Sequence, residues 1–357
     1  MTGLSDHVGR NAHLTGAREY ALPLLIANGV MGVRDMGGDF DYLSQLRGDI
    51  AEGKSLGPRI ILAGPFVDGP KPGAMNRLTV TSADEARKAV DRLKDRGVDF
   101  IKVHSAISRD AYFALAAEAK GKSIPFVGHV PDAITAAEAS DAGQATIEHL
   151  LPVDEMLGSG SDALFQRLAR NHTWEVPTLV SWRPYAFPSD PNLANDPRQR
   201  YLPRSVFEDW DRNQPVQNLS PEVLANRKRI WPSVVNVVGR MQRAGVQLMA
   251  GTDFSVRYVY PGFSLHDELE LLVQGGLTPM QALQTATRNP ARFLGIEATT
   301  GTVEVGKSAD LIVLDADPLK DIRNTQKIWA VVVGGTCVRR DALDKMLKDV
   351  QAAVVRN

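Results

Sequence analysis

The chain has one cysteine, Cys337, in 357 residues. A lone thiol closes no intramolecular disulfide and builds no CxxC knuckle, so a metal here would have to rest on histidine, carboxylate or lysine. Histidine is also scarce, at seven residues, and each position therefore carries information. Charge of one sign is not in excess either: the net charge is -1 and the pI is near 6.7, which argues against a nucleic-acid partner or a polybasic membrane patch. No apolar run reaches the roughly 18 residues of a membrane span. The polar start MTGLSDHVGRNAHL does not read as an export signal, so the chain as it stands is expected in the cytoplasm, or in a secreted or periplasmic setting if a leader precedes it. No GxGxxG opens a helix behind a strand, which weakens a dinucleotide-binding fold.

What the chain does have is short apolar strands alternating with helices. Seven strand segments precede residue 260: Gly29–Asp35, Arg59–Gly64, Phe100–Ser105, Pro125–Val130, Ala145–Leu150, Glu175–Val180 and Gln247–Asp253. Helices are expected between them, the clearest at Thr81–Gly97, where Ser82 and Glu85 form a capping box and Ala86, Ala89, Val90 and Leu93 share one face. Thr135 with Glu138 and Thr278 with Gln281 mark further helix starts. The Pro- and Gly-rich stretch Phe66–Leu78 reads as an exposed loop, and Ser181–Ser220 as a long irregular region. Repeated βα units of this number fit an α/β fold, a (β/α)8 TIM barrel, over residues 1–300. Beyond Gly301 the pattern changes to alternating β segments, a small sheet and tail over 301–357.

In such a barrel the chemistry lies at the C-terminal ends of the strands. Those ends carry Asp35, Lys102, His104, His129, His149 and Asp253. A lone strand-end histidine is most often structural. Two on successive strands, with a strand-end Gly-Thr-Asp downstream, favour a metal or proton-transfer site instead. Lys102 lies inside the apolar run FIKV, where a bare ammonium is costly to bury.

These residues, with VGHVPDAI, IEHL, AGTD and above all LTPMQALQTATRNPARFLG followed by GTVEVGKSADLIVLDADPL, resemble the metal-dependent amidohydrolase superfamily. The imidazolonepropionase-like and prolidase-like branch is the most similar. The resemblance runs from about Arg18 to Leu343 and implies a distorted barrel beside a β-sandwich segment, here incomplete. It also implies one or two divalent metals, zinc foremost. His129 and His149 would hold one ion, a carbamylated Lys102 would bridge, and Asp253 would bind the other and act as general base. Arg257, Tyr258 and His266 would line the substrate pocket.

The family's His-x-His at the end of the first strand is not intact. One alignment places Asn11 and His13 there, another His7 and Gly9, so His13 and His7 are each candidate ligands. The function implied is metal-dependent hydrolysis of a C–N bond in a small amide or dipeptide-like substrate. The alternative is a catalytically impaired barrel that binds a ligand or partner. A homo-oligomer or reduced stability is expected, because missing sandwich strands would leave unpaired edges and an exposed apolar face.

Overall fold

The structure is a computed structural model that describes residues 17–71, 76–213, 219–254 and 256–356; His7 and His13 lie outside the described residues. The first described helical turns, Ala17–Ala21 and Leu22–Ala27, bury Leu22, Leu24, Leu25 and Ile26. Gly29 then reverses the chain with a positive φ of 72° into strand β1, Gly32–Asp35. The barrel strands that follow are β2 (Arg59–Leu62), β3 (Phe66–Asp68), β4 (Arg77–Thr79), β5 (Ile101–Val103), β6 (Phe126–Gly128), β7 (Thr146–Glu148) and β8 (Trp174–Val176).

All of the pairings among these strands are parallel. β1 pairs with β2, and the larger sheet runs β4-β3-β5-β6-β7-β8. The two pieces are tied where Asp99 N–H donates to Leu62 O at 2.8 Å. At the far side Glu175 of β8 forms a parallel bridge with Leu248. β3, β5, β6 and β7 are buried at every residue, as strands covered on both faces must be.

The helices obey the capping signals. The helix Ala83–Asp95 buries Ala86, Ala89, Val90 and Leu93 and starts on Ser82, whose hydroxyl accepts from Glu85 N–H. Both capping boxes, Thr135–Glu138 and Thr278–Gln281, are formed.

Four expectations change. Gln247–Asp253 forms no strand beyond the single bridge from Leu248 to Glu175. Phe66–Leu78 is not simply an exposed loop, because Phe66, Val67 and Asp68 form the buried β3; the Asp68 carboxylate is neutralised by Arg77 at 2.9 Å, which lets a charged residue enter the sheet. Ser181–Ser220 is largely helical, with Leu179–Ala186, Pro191–Ala194, a 3-10 turn at Pro197–Tyr201 and Arg204–Asn213. Finally, the segment Glu175–Val180 stops as a strand at Val176. Pro177 has no N–H to donate, Thr178 turns left-handed at φ 45°, and Leu179 opens a helix.

After the barrel, β9 (Leu311–Leu314), β10 (Ile328–Val333) and β11 (Thr336–Arg339) make an antiparallel sheet in the order β11-β10-β9. The last helix, Arg340–Arg356, folds back so that Val350 joins the buried cluster containing Tyr20, Leu24 and Leu25.

Candidate active site

β5, β6 and β7 present Lys102, His129 and His149 at one end of the sheet. His129 is the first residue past β6, its N–H donating to Val103 O at 3.2 Å. Its Nδ1 lies 2.9 Å from Ser105 Oγ, and its ring stacks on that of His104 at a centroid distance of 4.0 Å. Burial drives the His129 pKa well below the usual imidazole value, and the neighbouring His104, Lys102 and His149 push the same way. The ring is therefore neutral at neutral pH, the form that ligates metals.

His149 sits edge-on to His129 at 5.1 Å between centroids. Its backbone is unusual: His149 and Leu150 both have positive φ, 66° and 57°. Three contacts hold that turn. His149 N–H donates to Val176 O at 2.8 Å, Trp182 Nε1–H donates to His149 O at 3.1 Å, and Leu150 N–H donates to the buried carboxylate of Glu175 at 2.9 Å. The ring Nδ1 is 2.8 Å from Thr178 Oγ1 and 3.9 Å from Asp253 Oδ2. Asp253, at φ 55°, thus faces His149 from the far side of the barrel.

Lys102 is the middle residue of β5 and is only 4% exposed. Its stem crosses Gly128 of β6. A Cβ there would lie 2.8 Å from Lys102 Cδ and 2.3 Å from Val103 O, at a φ of 127°. Glycine at 128 is what gives the lysine its passage. Below it, Glu148 is fully buried and accepts from Arg34 at 3.0 Å and Thr146 Oγ1 at 2.5 Å. Burial alone would raise the Glu148 carboxyl, but Arg34 and then Lys102 hold it below the usual range.

The other strand-end candidates do different work. Asp35 Oδ1 accepts from Gly37 N–H and Gly38 N–H, at 3.2 and 2.6 Å, and so closes the glycine turn after β1. Arg257 Nη2 donates to Asp211 at 2.7 Å and lies over the rings of Trp210 and Tyr258. Tyr258, with φ 65°, meets Trp210 edge-on at 5.6 Å. His266 is elsewhere: its ring nitrogens meet Thr325 Oγ1 at 3.0 Å and Asn28 O at 3.2 Å, beside the residues that lead into β1. Burial lowers its pKa to about 4, and it lines a cavity of about 460 Å³ with Asn28, Met249 and Ile312. The fold does not bring His266 to the histidine pair.

Sequence reading missed Asp68. Its Oδ2 lies 2.9 Å from Arg77 and 3.4 Å from His104 Nδ1, while Oδ1 accepts from Gly69 and Ala106 N–H at 2.9 and 2.7 Å. Burial works against the charge, but His104 and Arg77 outweigh it and lower the Asp68 pKa. The prolines and glycines that follow disguised this strand end as a loop.

Two imidazoles and a carboxylate, with an amine close by, are the donor types a divalent ion takes when it also keeps a place for water. Among the described residues no three His, Cys, Asp or Glu side chains already stand as a ligand set. The nearest donors for an ion are therefore His129 and His149, with Lys102 beside them and Asp253 facing His149 Nδ1 at 3.9 Å.

The profile of the amidohydrolase family matches residues 19–338. Ochratoxinase of Aspergillus niger is 38% identical over 91 residues, 25% of this chain and 18% of that protein. Imidazolonepropionase of Fusobacterium nucleatum is 33% identical over 82 residues, 22% of this chain and 19% of that protein. The matched stretches thus span about a fifth of these curated relatives. Among solved structures, a bottromycin amidohydrolase superposes with a TM-score of 0.77 at 24% identity, covering 94% of this chain and 76% of that one. A Bifidobacterium longum protein described as a prolidase superposes at 0.72 with 27% identity, covering 98% and 84%.

Proposed function

From the premise that this chain belongs to the amidohydrolase family, we propose that it is a metal-dependent hydrolase of an amide or peptide-like C–N bond in a small substrate. The observation that carries the reading is the convergence of His129, His149 and Asp253 beside the buried Lys102 at one end of a parallel sheet. His129 and His149 would hold one divalent ion, zinc by the imidazole and carboxylate donors, a carbamylated Lys102 would bridge it to a second, and Asp253 would bind that second ion. His13 or His7 would add the ligand of a first strand. A divalent ion there supplies Lewis acidity that lowers the pKa of water and polarises the scissile carbonyl.

The chain's own residues do the rest. Asp253, within 3.9 Å of the His149 ring, takes the proton of the attacking water as its oxygen adds to the carbonyl carbon. The same carboxyl returns that proton to the departing nitrogen as the C–N bond breaks. Carbamylation of Lys102, by addition of carbon dioxide to its amine, would supply an anionic oxygen donor of the kind a divalent ion takes. Arg257 would meet a substrate carboxylate, and Tyr258 with Trp182 would cover an apolar group.

The leading substrates are dipeptides ending in proline and hydrophobic N-acyl amino acids. The names of the neighbours favour the first class: the B. longum protein is described as a prolidase, and a further neighbour, 22% identical with a TM-score of 0.65, as a Xaa-Pro dipeptidase. The test is metal analysis of the purified chain with an assay on both substrate classes before and after chelation. His129→Ala and His149→Ala should each lose bound metal and reduce kcat/KM by at least about 100-fold. Hydrolysis that survives chelation and both substitutions would remove the reading. The absence of a ready three-residue set among the described residues keeps a second reading in play, a barrel that binds such amides without cleaving them. Tight substrate binding with no product, in metal-loaded protein, selects it.

A further inference from the structure

The hydroxyls around His149 define where its ring proton lies. Ser181 Oγ–H donates to the Thr178 carbonyl at 2.8 Å, and a carbonyl oxygen only accepts. Ser181 has one proton, so its other contact, to Thr178 Oγ1 at 3.1 Å, must be one it accepts. The Thr178 hydroxyl proton is thereby used. Its remaining contact, to His149 Nδ1 at 2.8 Å, then needs a proton on the imidazole nitrogen.

We propose that Thr178, backed by Ser181, is a positioning residue that fixes His149 as its Nδ1–H tautomer and leaves the Nε2 lone pair as the only one open to a ligand. Thr178 is itself held in place. Its backbone is left-handed at φ 45°, a strained setting for a β-branched residue. The helix that starts after it is anchored by Glu268, a fully buried residue whose Oε2 accepts from Val180 N–H at 2.8 Å. Trp182 from the same helix grips the His149 carbonyl. One short helix, Leu179–Ala186, and the residue before it thus set both the ring and the backbone of His149. Only the functional weight of this assignment rests on the reading of His149 as a metal ligand; the tautomer itself can be measured without metal or substrate.

The experiment is 15N NMR of the whole chain, labelled at histidine and kept in chelator, with His149→Gln to assign the signals. The expected spectrum has a pyrrole-type Nδ1 and a pyridine-type Nε2 for His149. Thr178→Ser should preserve it, and Thr178→Val and Ser181→Ala should each move population towards the Nε2–H form. A zinc titration should show binding weakened by roughly 10–100-fold in Thr178→Val, with Thr178→Ser close to the parent. A pyridine-type Nδ1 in the parent chain overturns the assignment, whatever the variants do. An unchanged spectrum in folded Thr178→Val and Ser181→Ala overturns the role of the hydroxyls. The expected spectrum in a chain that binds no zinc would leave the tautomer standing and the metal reading refuted.

Discussion

Glu268 is a buried carboxyl whose one partnered oxygen serves a backbone N–H, and burial raises its pKa from 4.5 to about 8. In the fold it holds its proton up to about pH 8, whereas the unfolded chain releases it near 4.5. The native state therefore binds more protons between those values, and stability is lost as pH rises from about 4.5 through 8. Glu175, pushed well upward by burial, acts in the same direction. Glu268→Gln keeps an oxygen for Val180 N–H and cannot ionise. Its melting temperature should vary less with pH between 5 and 8, and at pH 8 it should exceed that of the parent by an amount on the order of a few kcal/mol in stability. A parallel pH profile for the two proteins would refute this account of Glu268. A different arithmetic governs the Arg34–Glu148 pair, where both partners are buried and 3.0 Å apart. Arg34→Met takes the ion-pair partner from the buried Glu148, leaving it Thr146 and the field of Lys102, and should lower the unfolding free energy by about 3 kcal/mol. Arg34→Met with Glu148→Met should recover much of that, as read by urea unfolding.

At the level of elements, the helix Pro221–Arg243 shows what a sequence makes legible and what it hides. Its C-terminal half is apparent from the spacing of Val234, Val235, Val237, Val238 and Met241, but its first residue is Pro221, well upstream of that run. The signal was present: Ser220 accepts from Val223 N–H and Pro221 occupies the first turn, where a missing N–H costs nothing. Pro232 within the helix obscured it. Ser220→Ala should cost about 1 kcal/mol, measured by thermal unfolding, and no change would deny the cap its role. The same contrast runs through the barrel. Strands buried on both faces announce themselves as apolar runs, so β5, β6 and β7 were readable with the histidines and lysine they carry. β3 was not, because its register depends on the Asp68–Arg77 pair between distant residues. Nor was Thr178, whose importance comes from a left-handed turn and a partner 29 residues away.

For the molecule as a whole, the last helix packs against the first described helical turns. Val350 near the C-terminus is 1% exposed and packs in one cluster with Tyr20, Leu24 and Leu25 near the start of the described residues. Val350→Asp would bury an unpaired charge in that seam and should destabilise the fold by more than about 4 kcal/mol. Val305, fully exposed at 107% in the turn before β9, should by contrast accept lysine with a change within roughly 0.5 kcal/mol. Denaturant unfolding of the two variants side by side separates the seam from the surface, and equal effects would mean the terminal helix does not contribute to cooperative stability.

Gly128 touches no substrate in any reading of the site, yet it is the residue before His129 and leaves the room through which the Lys102 stem passes. A side chain there meets the Val103 carbonyl first and the lysine stem next, so β5 and β6 would have to part. Selection for activity would therefore guard this position as strictly as a ligand. In a mutational scan scored by catalysis alone, Gly128 will be indistinguishable from the histidine beside it, and only a parallel score of folded protein will reveal that its intolerance is inherited from packing.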